Sequence, residues 1–281
     1  MILTLRKRWL ILLPLLAAVI VATVALSPRQ TNGVRLPVLM YHHLSEKPGA
    51  LGPYVVTPAQ FRSDLLYMRE RGYETVTAAQ LIDYVDGKGT LPEKPVLITF
   101  DDGYESFYAY AYPILQELNE KALLSVIGVY TEQYSTGDDH NVAYAHVTWD
   151  EIAEMAGSGL VEIGNHTYDL HTLTDRKGCR IKPGESEAAY RAMLTADVQA
   201  LQDRLTAVTG QAPAVFTFPY GNVCSQSCEV VEAMGFRVTL VCEEKVNIVT
   251  QGDPDCLKKL RRFNRAHGKS SQSFLSAILD E

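Results

Sequence analysis

The sequence predicts an α/β fold, a single domain in which a parallel sheet closes into a barrel behind a layer of helices. Three observations predict it. Strand-like and helix-like segments alternate from Pro37 to Leu279 in seven or so repeats, which favours a barrel over an open doubly wound sheet. The strand-like runs, such as Val96–Phe100 and Val215–Phe218, are almost continuously apolar, as strands covered on both faces are. Finally, the polar clusters at His42, Asp101, His166 and Pro219-Tyr220 each follow directly on a strand, where a barrel of parallel strands collects its function.

The chain opens on a targeting or anchoring segment. Arg6, Lys7 and Arg8 precede Trp9–Leu26, 18 residues whose only hydrogen-bonding side chain besides the Trp9 indole is that of Thr23. That run can span a membrane with the charges inside and the following domain outside. Thr23-Val24-Ala25 makes a poor cleavage site, so an uncleaved single-pass anchor is favoured over a removed signal segment. The expected organisation is an anchor at 1–29, a linker at 30–36 and a catalytic domain at 37–281 outside the cell. The protein would be a monomer on the cell membrane, or secreted if the segment is cleaved. A net charge of −7 and a pI near 5.5 argue against nucleic acid as partner and suit a neutral or mildly cationic substrate. Five cysteines (Cys179, Cys224, Cys228, Cys242, Cys256) in an exported domain permit up to two disulfides, with the pairing open.

In order, Pro37–Tyr41 reads as a strand running into His42-His43. Thr57 caps a helix that has Pro58 at its first position and stops at Gly72. Tyr73–Val76 is a short strand, and Thr77…Gln80 opens a helix to about Val85. Val96–Phe100 is a buried strand that ends abruptly at Asp101-Asp102-Gly103. A helix over 112–119 follows, then a strand over 123–129 and a polar loop over 131–144. Thr148…Glu151 is a capping box for a helix to Ala156. Leu160–Ile163 is a strand into Gly164-Asn165-His166, and a long helix over 187–208 has Gly210 at its cap. Val215–Phe218 leads into Pro219-Tyr220-Gly221. A helix at 229–234, strands at 236–241 and 257–263, and a helix at 272–279 complete the chain.

The chemistry begins at Asp101 and Asp102. Adjacent carboxylates repel, and burying either uncompensated costs several kcal/mol, so the pair needs a cation or open solvent. On an extended backbone they point to opposite sides, which lets one ligate a metal while the other faces a bound water. His166 and His171 lie five apart. On a helix that spacing turns the side chains about 140° from each other, so only an irregular loop brings both to one ion. Two imidazoles and a carboxylate are a catalytic set for zinc with a position left open.

Thr99-Phe100-Asp101-Asp102-Gly103, the His166…His171 segment and Phe218-Pro219-Tyr220-Gly221, in that order, resemble the first three motifs of the polysaccharide deacetylases, the NodB-homology domain of carbohydrate esterase family 4. The resemblance runs from about Leu36 to the C-terminus. It implies a distorted (β/α)7 barrel, a divalent metal, most often Zn2+, on Asp102, His166 and His171, and Asp101 as catalytic base. Tyr220 and Pro219 would contact the substrate, with the Tyr220 N–H toward the oxyanion. The chain departs from the common pattern in three places. One extra residue separates the histidines, Thr217 stands where an arginine usually orients the base, and no late Leu-x-His supplies the acid. With Leu39-Met40-Tyr41-His42 these departures are similar to the surface poly-N-acetylglucosamine deacetylases, whose motif order is permuted. By that likeness His42 is the acid and the substrate is an acetylated polysaccharide of N-acetylglucosamine. An O-acetyl glycan esterase and a glycan-binding module without turnover are the alternatives.

Other residues receive plainer roles. His43 should point away from His42 and be structural, and His267 is the rival acid. Arg262 and Arg265 could replace the missing arginine, but they read as helix-facing or solvent-exposed. His140 and His146 sit in a polar stretch and read as surface residues. Trp149 reads as core, with Tyr168 and Tyr220 free to stack on sugar rings.

Overall fold

The six residues Pro95–Phe100 carry no charge and are buried throughout, which makes them the strand around which the sheet assembles. The computed structural model describes residues 33–279, so the expected anchor lies outside the described residues. No helix among the described residues is long and apolar enough to cross a membrane. In chain order the elements are β1 (Val34–Leu36), β2 (Val38–Tyr41), β3 (His43–Leu44), β4 (Val55–Val56), α1 (Pro58–Glu70), β5 (Glu74–Thr75), α2 (Ala78–Val85) and β6 (Pro95–Phe100). A π-helical turn (Phe107–Ala111) runs into α3 (Tyr112–Leu118), followed by β7 (Ala122–Val126), α4 (Gly128–Ser135), α5 (Trp149–Gly157), β8 (Val161–Asn165) and α6 (Glu187–Thr209). Then come β9 (Val215–Thr217), a 3-10 turn (Pro219–Gly221), α7 (Ser225–Ala233), β10 (Val238–Leu240), β11 (Asn247–Val249), β12 (Phe263–Asn264) and α8 (Ser271–Leu279).

The helix starts follow from local chemistry. Thr57 accepts from the Gln60 N–H with Pro58 behind it, and Thr77 and Thr148 close reciprocal capping boxes with Gln80 and Glu151. Gly210 ends α6 at φ 75°, a left-handed conformation that glycine adopts at little cost.

The principal sheet is parallel, in the order β10-β9-β8-β7-β6-β2-β12, with β5 beside the first two residues of β6. Leu260 makes a parallel bridge to Leu240 of β10, and three residues later β12 pairs with β2. The run from Leu260 to Asn264 therefore touches both edges of the sheet. Alternate residues face opposite ways. Val38, Leu97, Leu123, Val215 and Val238 meet one another, while Leu39, Ile98 and Leu124 pack with Phe61, Leu115 and Leu201 of the helices.

Several expectations need correction. Residues 34–36, assigned to a linker, form β1 and pair antiparallel with β11, which the sequence had not indicated. The loop expected over 131–144 begins as helix, since α4 runs to Ser135. The last strand shrinks to Phe263–Asn264, since Pro254–Leu257 is a 3-10 turn and Lys259 turns at φ 55°. The five cysteines are all free thiols.

Arg265, expected on a helix face or in solvent, is 1% exposed. Its guanidinium donates to both oxygens of Asp64 on α1, at 2.7 and 3.1 Å, and to the carbonyls of Ala266 and Lys269. Tyr41 Oη donates to the same carboxylate at 2.9 Å. The Asp64→Ala substitution strands a buried cation and should cost about 3–5 kcal/mol in urea unfolding. Asp64→Leu with Arg265→Met should cost much less, and an Asp64→Ala loss below about 1 kcal/mol would contradict this account.

Candidate active site

β6 delivers Asp101 and Asp102 to its C-terminal end and then turns sharply. Asp102 has φ 71° and Gly103 φ 75°, and a Cβ on Gly103 would meet Val126 at 3.0–3.1 Å. Asp101 is 3% exposed, and Arg262 grips it with two parallel bonds, Nη1–H to Oδ1 at 2.6 Å and Nη2–H to Oδ2 at 2.7 Å. Arg262 is wholly buried, and its Nε–H donates to the Val241 carbonyl at 3.0 Å. The reading of Arg262 as a peripheral residue is thus overturned: it is buried against Asp101, where Thr217 offers no guanidinium. Burial opposes ionisation of Asp101, but the Arg262 charge and hydrogen bonds outweigh it and hold the carboxyl well below the usual range.

β8 delivers His166, whose Nδ1–H donates to the Thr217 carbonyl at 2.7 Å and leaves Nε2 free to ligate. Thr167 immediately adopts φ 72°, an outlier for a β-branched residue. That left-handed step is how histidines five apart reach one point. The loop is secured by Asp197 of α6, which accepts from the N–H groups of Tyr168 and Asp169 at 2.9 Å each. His166 Nε2 and His171 Nε2 stand 3.5 and 3.2 Å from Asp102 Oδ1. That oxygen is buried and has no hydrogen-bond partner. Donor atoms on a tetrahedral ion with bonds of about 2.1 Å stand about 3.4 Å apart, so an orphaned carboxylate oxygen and two imidazoles at these spacings fit a divalent cation. Burial, with His166 adding to it, brings His171 down to about 4, while Asp102 and Asp101 raise His166 against its own burial.

A cavity of about 730 Å3 joins His42, Asp101, Asp102, His166, His171 and Tyr220. His42 follows β2; its Nδ1 is buried without a partner and its ring meets Tyr54 edge-on at 4.9 Å. Tyr220 sits at φ 58°, half-exposed, with Oη 3.1 Å from His171 Nδ1. Pro219 is buried in the same turn, with Gly178 packed close against it, and does not line the cavity. His43 bonds Ser106 Oγ at 2.9 Å while also bordering the cavity. His267 is exposed and bonds Gln60 Oε1 at 3.1 Å, outside the cavity lining. His146 is a further correction: it is buried among Tyr104, Tyr130 and Tyr134, with ring centroids at 4.7, 4.6 and 5.7 Å. His140 is exposed, between Glu105 and Glu151. Trp149 packs against the core, and its indole N–H donates to Glu132 at 3.0 Å.

Residues 88–239 match the polysaccharide deacetylase family. The chain belongs to that family. Asp101, Asp102, His166, His171 and Tyr220 fall inside the matched deacetylase segment, whereas His42 and Arg262 flank it. The chain is 27% identical over 260 residues to the poly-β-1,6-N-acetyl-D-glucosamine N-deacetylase of Escherichia coli (strain K12), covering 86% of this chain and 38% of that protein. It is 27% identical over 192 residues to the enzyme of the same name from Staphylococcus aureus (strain MSSA476), covering 68% and 62%. The chain thus spans well under half of the E. coli relative and somewhat under two thirds of the staphylococcal one. Among solved structures, it is similar to the de-N-acetylase from Aggregatibacter actinomycetemcomitans (26% identity, TM-score 0.71, 84% of this chain and 97% of that one). It is also similar to IcaB from Ammonifex degensii (27%, TM-score 0.72, 89% and 99%).

Arg262→Lys keeps the charge and loses the two-pronged grip. On the base role that the resemblance implies for Asp101, acetate-release kinetics should show kcat down about 10- to 100-fold, the scale of a misplaced catalytic group, with KM little changed. An unchanged kcat would contradict the positioning role.

Proposed function

We propose that this chain removes N-acetyl groups from an N-acetylglucosamine-containing cell-surface polysaccharide and releases acetate, with a divalent metal, zinc foremost, as cofactor. The observation that carries the reading is one cavity holding an arginine-clamped carboxylate, a three-residue cation set and the half-buried imidazole of His42. The names of the E. coli and staphylococcal relatives direct it to poly-β-1,6-N-acetylglucosamine. The net charge of −7 suits a polymer that gains amines as it is processed. The basic and apolar segment at 6–26 supports a single-pass anchor, with a monomeric catalytic domain outside the cell.

The residues divide the work by position. When bound to Asp102, His166 and His171, the ion would supply Lewis acidity toward the acetamide oxygen and acidify a nearby water. Asp101 takes the proton of the attacking water. Both its oxygens accept from Arg262, yet each keeps a second lone pair. Arg262 lowers the basicity of Asp101 and fixes its direction. The Tyr220 N–H is the donor we assign to the developing oxyanion. His42 gives its proton to the amine nitrogen as the C–N bond breaks and acetate forms. Burial pushes His42 below its ordinary value, against the pull of Asp101 and Asp102. The result is a stronger acid with a smaller protonated share at neutral pH. A glycan-binding module without turnover drew its support from the missing arginine, and Arg262 removes that support.

The test is acetate release from poly-β-1,6-N-acetylglucosamine, chitooligosaccharide and acetylated xylan, with and without chelator. The amide substrates should be cleaved and chelator should abolish cleavage. Cleavage of xylan alone would transfer the site to ester chemistry. Asp101→Asn should retain metal and lose at least ~100-fold in turnover. His42→Ala should lose far more activity than His267→Ala, and equal losses would overturn the choice of acid.

A further inference from the structure

A second set of ligand-type side chains lies outside the catalytic cavity. Glu105 follows the Asp-Asp-Gly turn, His140 sits in the loop before α5, and Glu151 is in the first turn of α5. Their donor atoms fall within 4.8 Å of one another. His140 Nδ1 is 3.2 Å from Glu151 Oε1 and 3.4 Å from Glu105 Oε1. Those spacings nearly repeat the 3.2 and 3.5 Å of the Asp102–His171 and Asp102–His166 pairs. They also match donors about 3.4 Å apart around one tetrahedral ion.

The surroundings leave charge uncompensated. Glu105 is 3% exposed, and its Oε2 is buried with no hydrogen-bond partner. Glu151 commits Oε2 to the Thr148 N–H and hydroxyl, at 2.7 and 2.9 Å, so Oε1 remains for the cluster. Two facing carboxylates in a partly dry site repel each other, a repulsion that a shared cation relieves.

We propose that Glu105, His140 and Glu151 form a second divalent-cation site, one that serves structure rather than catalysis. The imidazole ligand selects a zinc-class ion over calcium or magnesium. Its position gives it a purpose. The Glu105 N–H donates to the Ala145 carbonyl at 2.8 Å and the Val147 N–H to the Gly103 carbonyl at 2.9 Å, while Tyr104 bridges to His146. Ala143 of the same loop borders the catalytic cavity. An ion held by the three side chains fastens that wall of the cavity to the turn that carries Asp101 and Asp102. The inference rests on this geometry and stands whether or not the proposed reaction is correct.

Zinc stoichiometry by equilibrium dialysis of the full chain, with its thiols alkylated, tests it. The wild type should bind two ions, and His166→Ala with His171→Ala should bind one. Adding His140→Ala, a change at an exposed residue, should bring the count to zero. Independently, Glu105→Gln in the otherwise native chain should weaken one of the two sites at least ~10-fold and leave the other intact. One ion on the wild type, lost in the His166/His171 variant, would overturn the proposal. So would an ion that survives the His140→Ala addition.

Discussion

The structure depends on how two adjacent buried aspartates at the end of β6 are kept ionised. Asp101 has Arg262 and Asp102 has two imidazoles, and the left-handed step at Asp102 (φ 71°), just past the end of β6, sends the two carboxylates to those different partners. Removing one member of a buried pair costs about 3–5 kcal/mol, whereas replacing both by apolar residues is often neutral. Stability alone therefore gives little reason to keep Asp101 and Arg262. What the pair does supply is direction: two parallel bonds fix the Asp101 carboxylate beside Asp102 and the two imidazoles.

The stretch from Leu260 to Arg265 joins this site to the fold. Leu260 bridges β10, Arg262 reaches Asp101, Phe263 and Asn264 pair with β2, and Arg265 meets Asp64 of α1. Contact with both edges of the sheet and the hold on Asp101 come from the same few residues. Backbone strain is concentrated nearby, with Asp102, Thr167 and Tyr220 all at positive φ, each next to a group that faces the cavity or belongs to it. Such conformations cost of order 1–3 kcal/mol each and persist where the surrounding packing over-determines them.

Much of this was legible because it is local. Capping boxes, apolar runs and the Asp-Asp-Gly turn each lie within a few residues, and the parallel α/β class followed from their alternation. The residues grouped by resemblance, His42, Asp101, Asp102, His166, His171 and Tyr220, do meet in one cavity. What escaped is non-local. Arg262 lies 161 residues from Asp101, and no periodicity marks a guanidinium that will be buried. His146 looked like a surface residue because its burial depends on tyrosines from the turn after β6 and from α4. β1 and β11 are three residues each, too short to show a period, and find each other only in the folded chain. One signal was available for Arg262: a barrel places residues near the end of its last strand beside its first, so a late arginine deserved more weight than a solvent role.

The central claim is that Asp102, His166 and His171 grip one cation within reach of an Asp101 held by Arg262. The most direct measurement is a crystal structure of the zinc-loaded protein with an anomalous map at the zinc edge. The account predicts a peak about 2.0–2.2 Å from Asp102 Oδ1 and both Nε2 atoms, with the Arg262 grip intact. Imidazoles turned away from Asp102, or no peak among the three residues, would contradict it.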